Sequence, residues 1–397
     1  MGSHAGKSKP ATIAALAGAR AIPPLLIVLY HYCEGHQYTG ARLLDLVLAR
    51  GYLWVEFFFA LSGFILTHVY AARAKELWTA RGYGSFIKAR LIRLYPLHLF
   101  MLLALLVLML AVGAAAEIGR YVSFYERPAY HPDMSWPGLI ASLLLVHGWD
   151  TLPRLTWNGA SWFVSVEFAL CLLFPLFIWF QNGRAWRGLA LIAGGVGGLL
   201  ALLAISPHGL DLTFHLGVPR GIANFAIGVG MARLFAQVRT ATIPVWVHSA
   251  LQVGLVGFLL FVMTNTGWTH NGRDIYTVLA MQVLILALAF DKGVVADLLA
   301  LRAPQALGEW SYGIYLGQTL WLHIIRVIEY RYHPPGDTPL LGTNFATVIA
   351  WAEPLGLLVA CTLWGAWLAE KIEKPAAKWL RVRLDQPRRA APPSGIT

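Results

Sequence analysis

An arginine and a histidine stand in the first apolar segment of the chain, within and just before the stretch AIPPLLIVLYHYCEGH. Arg20 and His31 are eleven residues apart, so an unbroken helix would place them on one face, about 16 Å apart along its axis. A phosphate held near Arg20 could then place the thioester of an extended pantetheine arm near His31. Pro23 and Pro24 could instead start or kink the helix. Alternatively, Arg20 and His31 are interfacial residues at opposite ends of the span.

A second basic pair lies in FIKARLIRLYPLH, where Arg90 and Arg93 are three residues apart and share a helix face. Two guanidinium groups in this arrangement could bind a phosphorylated ligand in a bidentate manner. The alternative is the ordinary anchoring of a membrane helix by basic residues on its cytoplasmic side.

A carboxylate occurs in NGASWFVSVEF, near the start of another apolar segment. Glu167 could orient an imidazole or an incoming hydroxyl, or take up the proton itself. It could equally interact with the dipole at the helix N-terminus.

Two further segments carry polar residues in apolar surroundings. In GYLWVEFFFALSGFIL, Glu56 enters an apolar helix, and the Ser62-Gly63 pair is typical of close helix packing. In GEWSYGIYLGQTLWLH, Tyr312 and Tyr315 share a helix face. They could line a cavity, although an interfacial aromatic belt is the commoner explanation.

Composition indicates what kind of chain positions these residues. The 397 residues are 57% hydrophobic and only 13% charged, which is typical of a polytopic membrane protein and not of a soluble one. The net charge of +11 falls in the loops, so we predict no nucleic-acid partner. The three cysteines are far apart and predict neither a disulfide framework nor a zinc site.

Hydropathy predicts an all-α protein with about ten transmembrane helices. With most lysines and arginines inside, both termini are predicted to be cytoplasmic. The apolar segment 135–149 is too short for a crossing and is predicted to be re-entrant or interfacial. The predicted spans are 12–33, 51–70, 94–113, 158–181, 188–207, 219–236, 243–264, 274–290, 309–329 and 344–369.

One integral-membrane domain is predicted over residues 12–376. Residues 1–11 are predicted to be a cytoplasmic tail, in which MGSH is typical of a cloning scar. Residues 377–397 are predicted to be a basic, disordered cytoplasmic tail. No metal site is expected.

Taken in order, the motifs resemble those of the membrane acyltransferase 3 family, over about residues 12 to 376. They are Arg20 and His31 with ten residues between, FFFALSGFIL, RLIRLYP, SWFVSVE, SYGIYL and IEKP. The resemblance implies about ten membrane helices and the transfer of an acyl group, usually acetyl, from cytoplasmic acyl-CoA to a hydroxyl of a glycan or another small acceptor. It also implies a location in the bacterial inner membrane.

The resemblance assigns roles to individual residues. His31 corresponds to the essential histidine and Arg20 to the arginine of the same pattern. Arg90 and Arg93 match the paired arginines, and Glu167 matches the acid. Further residues expected to line the site are Glu34, Ser62, Trp162, Ser165, Tyr312 and Tyr315. The four hydroxyl-bearing side chains among them, Ser62, Ser165, Tyr312 and Tyr315, are candidates for stabilising an oxyanion.

The chain departs from the family pattern in three ways. Gln318 stands where a histidine is common, which argues against an acid or base at that position. Glu56 stands where an aspartate is usual. An SGNH hydrolase-like domain, which some relatives carry, is not expected here, so transfer would be completed in the membrane domain.

The expected mechanism begins with acyl-CoA phosphates against Arg90, Arg93 and Arg20. His31, oriented by Glu167 or Glu34, then removes the proton from an acceptor hydroxyl that attacks the thioester. A covalent acyl-enzyme on His31 or another residue is also chemically feasible. The acceptor could be a surface polysaccharide, an exopolysaccharide or a lipid-linked oligosaccharide. The alternative function is a proton-coupled transporter, although no internal repeat supports it.

Overall fold

The computed structural model describes residues 12–35, 42–117, 135–184, 186–265, 272–332 and 343–385. Within these ranges every regular element is helical, and no strand occurs. The predicted all-α class is therefore confirmed for the described part of the chain. The predicted tail 1–11 lies outside it.

The first half of the described chain contains six α-helices. Short 3₁₀ segments precede α4 (Gly51–Leu53) and follow it (Ala71–Trp78). The helices are α1 (Ala14–Ala19), α2 (Ile22–Gly35), α3 (Arg42–Leu48), α4 (Trp54–Tyr70), α5 (Ala80–Glu117) and α6 (Trp136–Leu143).

The second half contains nine more. A 3₁₀ turn (Gly159–Ser161) leads into α7, and a π-helical turn (Ala369–Glu373) separates α14 from α15. The helices are α7 (Trp162–Gln181), α8 (Trp186–Ile205), α9 (Gly217–Val238), α10 (Val245–Asn265), α11 (Asp274–Leu288), α12 (Val294–Leu299), α13 (Arg302–Tyr332), α14 (Thr343–Leu368) and α15 (Lys374–Asp385).

Eight helical segments among the described residues are long and apolar enough to cross a membrane. They coincide with eight of the ten predicted spans. The other two predicted spans also form helices, but α11 has only 15 residues, and the 31-residue α13 is not among the segments apolar enough to cross. The protein is thus an integral membrane protein with eight clear candidate spans, while the count of ten stays a prediction.

The first predicted span is interrupted beside Arg20. Helix α1 ends at Ala19 and α2 begins at Ile22, with Pro23 and Pro24 in its first turn. Proline has no N–H to donate to the carbonyl four residues earlier, so the hydrogen-bond ladder stops here. Arg20 therefore lies between two helices and not on one continuous face with His31.

The segment 135–149 contains only the eight-residue helix α6, followed by turns. It packs against α5, where the Tyr95 hydroxyl donates to the Leu143 carbonyl (3.0 Å) and His98 Nε2 lies 2.9 Å from the Ser142 carbonyl. The helix is too short to span a bilayer, as the sequence predicted. Its depth in the membrane stays a prediction.

Helix α9 lies at the centre of the bundle and packs against α4 and α8. Glycine permits this close approach: a Cβ atom added to Gly63 of α4 would lie 2.3 Å from the Phe225 carbonyl oxygen. A Cβ atom added to Gly228 of α9 would lie 2.0 Å from the Ala60 carbonyl oxygen. Gly63 is thus a packing residue, in agreement with the small-residue rule for membrane helices.

A buried polar network joins α4, α9 and α11. Arg220 Nε donates to Glu56 Oε1 (2.7 Å), and Asn224 Nδ2 donates to Glu56 Oε2 (2.5 Å). Gln282 Nε2 then donates to Asn224 Oδ1 (2.6 Å). Glu56 and Arg220 thus pair with each other inside the bundle, and this network fixes the three helices relative to one another.

The predicted domain boundary at residue 376 falls inside α15, since this helix continues to Asp385. Residues 377–385 are therefore helical and not disordered. The helix packs against α5, and Lys88 Nζ donates to the Leu384 carbonyl (3.0 Å). The remaining tail residues lie outside the described part of the chain.

Candidate functional site

Two adjoining cavities contain nearly all the residues that the sequence singled out. The first, here called the arginine cavity, has a volume of about 200 Å³ and is lined by Arg20, Arg90 and Arg93. The second, here called the histidine cavity, has a volume of about 460 Å³ and is lined by His31 and Glu34. Tyr315 lines both.

The arginine cavity concentrates positive charge. Arg20 follows α1 directly, and Arg90 and Arg93 lie on one face of α5. Neither Arg20 nor Arg90 forms a side-chain hydrogen bond or ion pair with a described residue, and Arg90 Nε is buried without a partner. Two guanidinium groups are therefore available to an anionic ligand.

Arg93 differs from its neighbours because it forms an ion pair with Glu373. Its guanidinium carbon also lies 5.5 Å from the centre of the Tyr312 ring. Glu373 belongs to the π-helical turn between α14 and α15, an irregularity that is frequent at functional sites. The side chain of Glu373 is only 7% exposed, so this contact ties the final helices to the cavity.

Glu167 lies in the arginine cavity and not beside His31. Its Oε1 accepts a short hydrogen bond from the Ser62 hydroxyl, and its Oε2 is buried without a hydrogen-bond partner among the described residues. Charge interactions link Glu167 to Arg20 and Arg90. Glu167 therefore orients Ser62 within the cavity that the arginines line.

His31 has Glu34 as its partner in the histidine cavity. His31 Nδ1 lies 2.6 Å from Glu34 Oε2, one helical turn along α2. When Nδ1 donates its proton to Glu34, Nε2 keeps a free lone pair, which is the form that a general base requires. Of the two orienting carboxylates considered from the sequence, the geometry favours Glu34.

Aromatic rings form much of the wall of the histidine cavity. Tyr30, Tyr52, Trp157 and Trp162 line it. The Tyr30 ring centroid lies 5.0 Å from that of His31. Such a surface, with a few polar groups, suits an amphipathic ligand such as a sugar ring.

Aromatic side chains pack around Tyr315, the residue that lines both cavities. Phe163 and Tyr315 meet edge to face with ring centroids 5.6 Å apart, and the Phe58 and Phe163 centroids are 5.7 Å apart. Phe58 and Phe163 line the arginine cavity. The cluster is therefore continuous from the wall of the arginine cavity to Tyr315, which the two cavities share.

Ser165 lies outside both cavity walls. Its hydroxyl donates to the Leu145 carbonyl (2.7 Å) and accepts from the Gly148 N–H (3.0 Å). Ser165 thus connects α7 to the segment after α6, and its position indicates a structural role.

Gln318 is fully buried, and its Nε2 donates to the Tyr315 carbonyl (3.0 Å). It lines neither cavity.

Sequence reasoning missed two residues of the site. Arg220 lines the histidine cavity, held by Glu56, with its guanidinium carbon 5.6 Å from the Trp162 ring centre. The rule that selected His31, an ionisable group in a predicted span, also applied to Arg220. Glu373 lies in the IEKP motif, but its partner Arg93 is far away in the sequence, so the pairing gave no local signal.

Comparison with known proteins identifies the family. A model of the family described as Acyltransferase domain (Acyl_transf_3) matches residues 13–370. Acyltransferase MdmB of Streptomyces mycarofaciens is 26% identical over 385 residues, covering 92% of each chain. Protein 2 in picA locus of Rhizobium radiobacter is 37% identical over 169 residues, covering 41% of this chain and 78% of that protein.

A third relative is longer. The Staphylococcus aureus (strain COL) protein named "Putative O-acetyltransferase SACOL0978" is 22% identical over 355 residues, covering 83% of this chain and 53% of the relative. No solved structure matches. Since the family model spans nearly the whole chain, including both cavities, the protein belongs to the Acyl_transf_3 family of acyltransferases.

Proposed function

We propose that the protein is an O-acyltransferase that moves an acyl group, most simply acetyl, from cytoplasmic acyl-CoA to a hydroxyl of a glycan acceptor. The observation that carries this proposal is the adjacency of the arginine cavity and the histidine cavity, which suit an anionic donor and a neutral acceptor respectively. Two relatives, Acyltransferase MdmB and Putative O-acetyltransferase SACOL0978, carry names that support the same chemistry.

The donor binds with its phosphates against Arg20, Arg90 and Arg93. Arg20 and Arg90 are not engaged by described residues, so a phosphate gains charge-assisted hydrogen bonds without breaking existing ones. From Ile22, two residues after Arg20, to His31, helix α2 rises about 14 Å at 1.5 Å per residue. An extended pantetheine arm has this reach and would bring the thioester past Phe163 to the histidine cavity.

His31 acts as the general base. An alcohol is a poor nucleophile until a base removes its proton, and a neutral imidazole suits this task near pH 7. Glu34 holds the imidazole so that Nε2 can accept the proton. Glu167 acts on the donor side, where it orients Ser62 and balances the arginine charge.

The acceptor occupies the histidine cavity. Trp157, Trp162 and Tyr30 offer ring faces for stacking on a sugar. A surface polysaccharide, an exopolysaccharide or a lipid-linked oligosaccharide would each present suitable hydroxyls. No resident metal is invoked in this proposal.

The test is release of free CoA from acetyl-CoA by the purified protein in nanodiscs, with and without a crude glycan extract. We expect acceptor-stimulated release by the wild type and none by His31→Ala. His208→Ala is the matched control, because this histidine is exposed in a turn outside the helices and lines neither cavity.

Absence of both acetyl-CoA binding and CoA release by well-folded wild type would refute the proposal and favour the proton-coupled transporter. Undiminished release by His31→Ala would refute the role of His31 as the base.

A further inference from the structure

Acyl transfer from a thioester requires a hydrogen-bond donor at the carbonyl oxygen, since negative charge develops there as the acceptor attacks. This inference rests on the proposed function and asks which residue supplies that donor. This hydrogen-bond donor must lie where the two substrates meet, within reach of both the pantetheine arm and His31.

Three of the four hydroxyl groups considered from the sequence are already committed. The Ser62 hydroxyl donates to Glu167. The Ser165 hydroxyl donates to the Leu145 carbonyl, and the Tyr312 hydroxyl donates to the Leu94 carbonyl (2.6 Å). A hydroxyl has one proton, so each of these would have to break its existing bond before it could serve an oxyanion.

Tyr315 is in a different situation. Its hydroxyl has no hydrogen-bond partner among the described residues, although the side chain is only 3% exposed. It lines both the arginine cavity and the histidine cavity. Edge-to-face packing against Phe163 holds the ring in place, so the phenol is fixed before the substrates bind.

We propose that the Tyr315 hydroxyl is the catalytic hydrogen-bond donor to the thioester carbonyl oxygen. The acceptor oxygen forms a bond to the carbonyl carbon while its proton moves to His31, and the charge on the carbonyl oxygen is stabilised by Tyr315. The carbon–sulfur bond then breaks. The CoA sulfur leaves with the proton returned by His31, giving the acyl ester and free CoA.

The decisive variant is Tyr315→Phe, which removes only the hydroxyl and keeps the ring that lines both cavities. Loss of one oxyanion donor lowers kcat by about 10²–10³-fold. We expect a fall of at least about 100-fold, with the KM for acetyl-CoA and the unfolding temperature close to those of the wild type.

Tyr83→Phe is the matched control. The hydroxyl of Tyr83 donates to the Leu172 carbonyl (3.2 Å), and this tyrosine lines neither cavity. Its kcat should match that of the wild type.

A second measurement separates hydrogen-bond donation from ring packing. Fluorotyrosines placed at position 315 keep the ring but change the acidity of the phenol. If Tyr315 donates to the oxyanion, kcat should vary systematically with phenol acidity at pH values where the phenol stays protonated. A Tyr315→Phe enzyme with at least half of the wild-type kcat, or a kcat insensitive to fluorination, would overturn this inference alone. A wild type without acyl transfer would overturn it together with the proposed function.

Discussion

Replacement of Arg90 by glutamine tests the donor site directly. Arg90 lines the arginine cavity, and its Nε is buried without a partner. A hydrogen bond to a charged group contributes about 1.5–3 kcal/mol. At 1.36 kcal/mol per factor of ten, Arg90→Gln should raise the KM for acetyl-CoA about 10–150-fold.

The same variant should leave the fold intact. Arg90 has no ion-pair partner among the described residues, so its removal leaves no carboxylate unpaired. Burying a charge without a partner is costly. We therefore expect the unfolding temperature of Arg90→Gln in detergent to equal or exceed that of the wild type.

The assay is CoA release over a range of acetyl-CoA concentrations, with the dissociation constant for acetyl-CoA measured separately by calorimetry. Arg239→Gln removes one exposed positive charge just after α9 and controls for a general loss of basic charge. An unchanged KM and dissociation constant in Arg90→Gln would refute the assignment of this cavity to the donor phosphates.

Three further results are expected. Arg93→Gln should lower the free energy of unfolding by about 1–3 kcal/mol, because Glu373 is then buried without its partner. The double variant with Glu373→Gln should regain the stability in thermal unfolding but not the affinity for acetyl-CoA. A single variant as stable as the wild type would contradict the ion-pair argument. Glu34→Gln should reduce kcat about tenfold at an unchanged KM for acetyl-CoA. This is the low end of the range for a hydrogen bond to a charged group, because Glu34 is 45% exposed. An equal loss of kcat in His31→Ala and Glu34→Gln would show that Glu34 does more than orient the imidazole. Ser165→Ala should destabilise the protein by about 1–3 kcal/mol and keep kcat per folded molecule, whereas a selective loss of kcat would place Ser165 in the reaction.

The two candidate functions differ in one further respect. A proton-coupled transporter needs no thioester site. In that case neither Arg90→Gln nor Tyr315→Phe would change a KM or kcat for acetyl-CoA. In an acyltransferase the first variant should change KM and the second kcat.

The sequence alone was sufficient for the fold class and the approximate spans. Long apolar segments must form helices in a bilayer, because every backbone N–H and C=O needs a partner inside the chain. The same reasoning selected His31, Arg20 and Glu167, since ionisable groups at membrane depth are costly and are retained for function. Local chemistry also allowed an interruption at Pro23 and Pro24 as one of two alternatives, and the structure shows the interruption.

Only the tertiary structure could decide which of these residues meet. Glu167 was a candidate partner for His31, yet it contacts Ser62 of α4, more than a hundred residues away in the chain. The pairing of Arg93 with Glu373 joins residues nearly three hundred positions apart. Such contacts depend on the rotation and packing of whole helices, which hydropathy and spacing do not encode.

The sequence likewise could not predict that the candidate residues line two separate cavities. Spacing predicted an arginine end and a histidine end, but not that Tyr315 would line the junction between them. Nor could it distinguish the uncommitted hydroxyl of Tyr315 from that of Tyr312, which lies three residues earlier and donates to the Leu94 carbonyl. The composition determined where polar groups were allowed, and the packing of α4, α5, α7 and α13 determined which of them face each other.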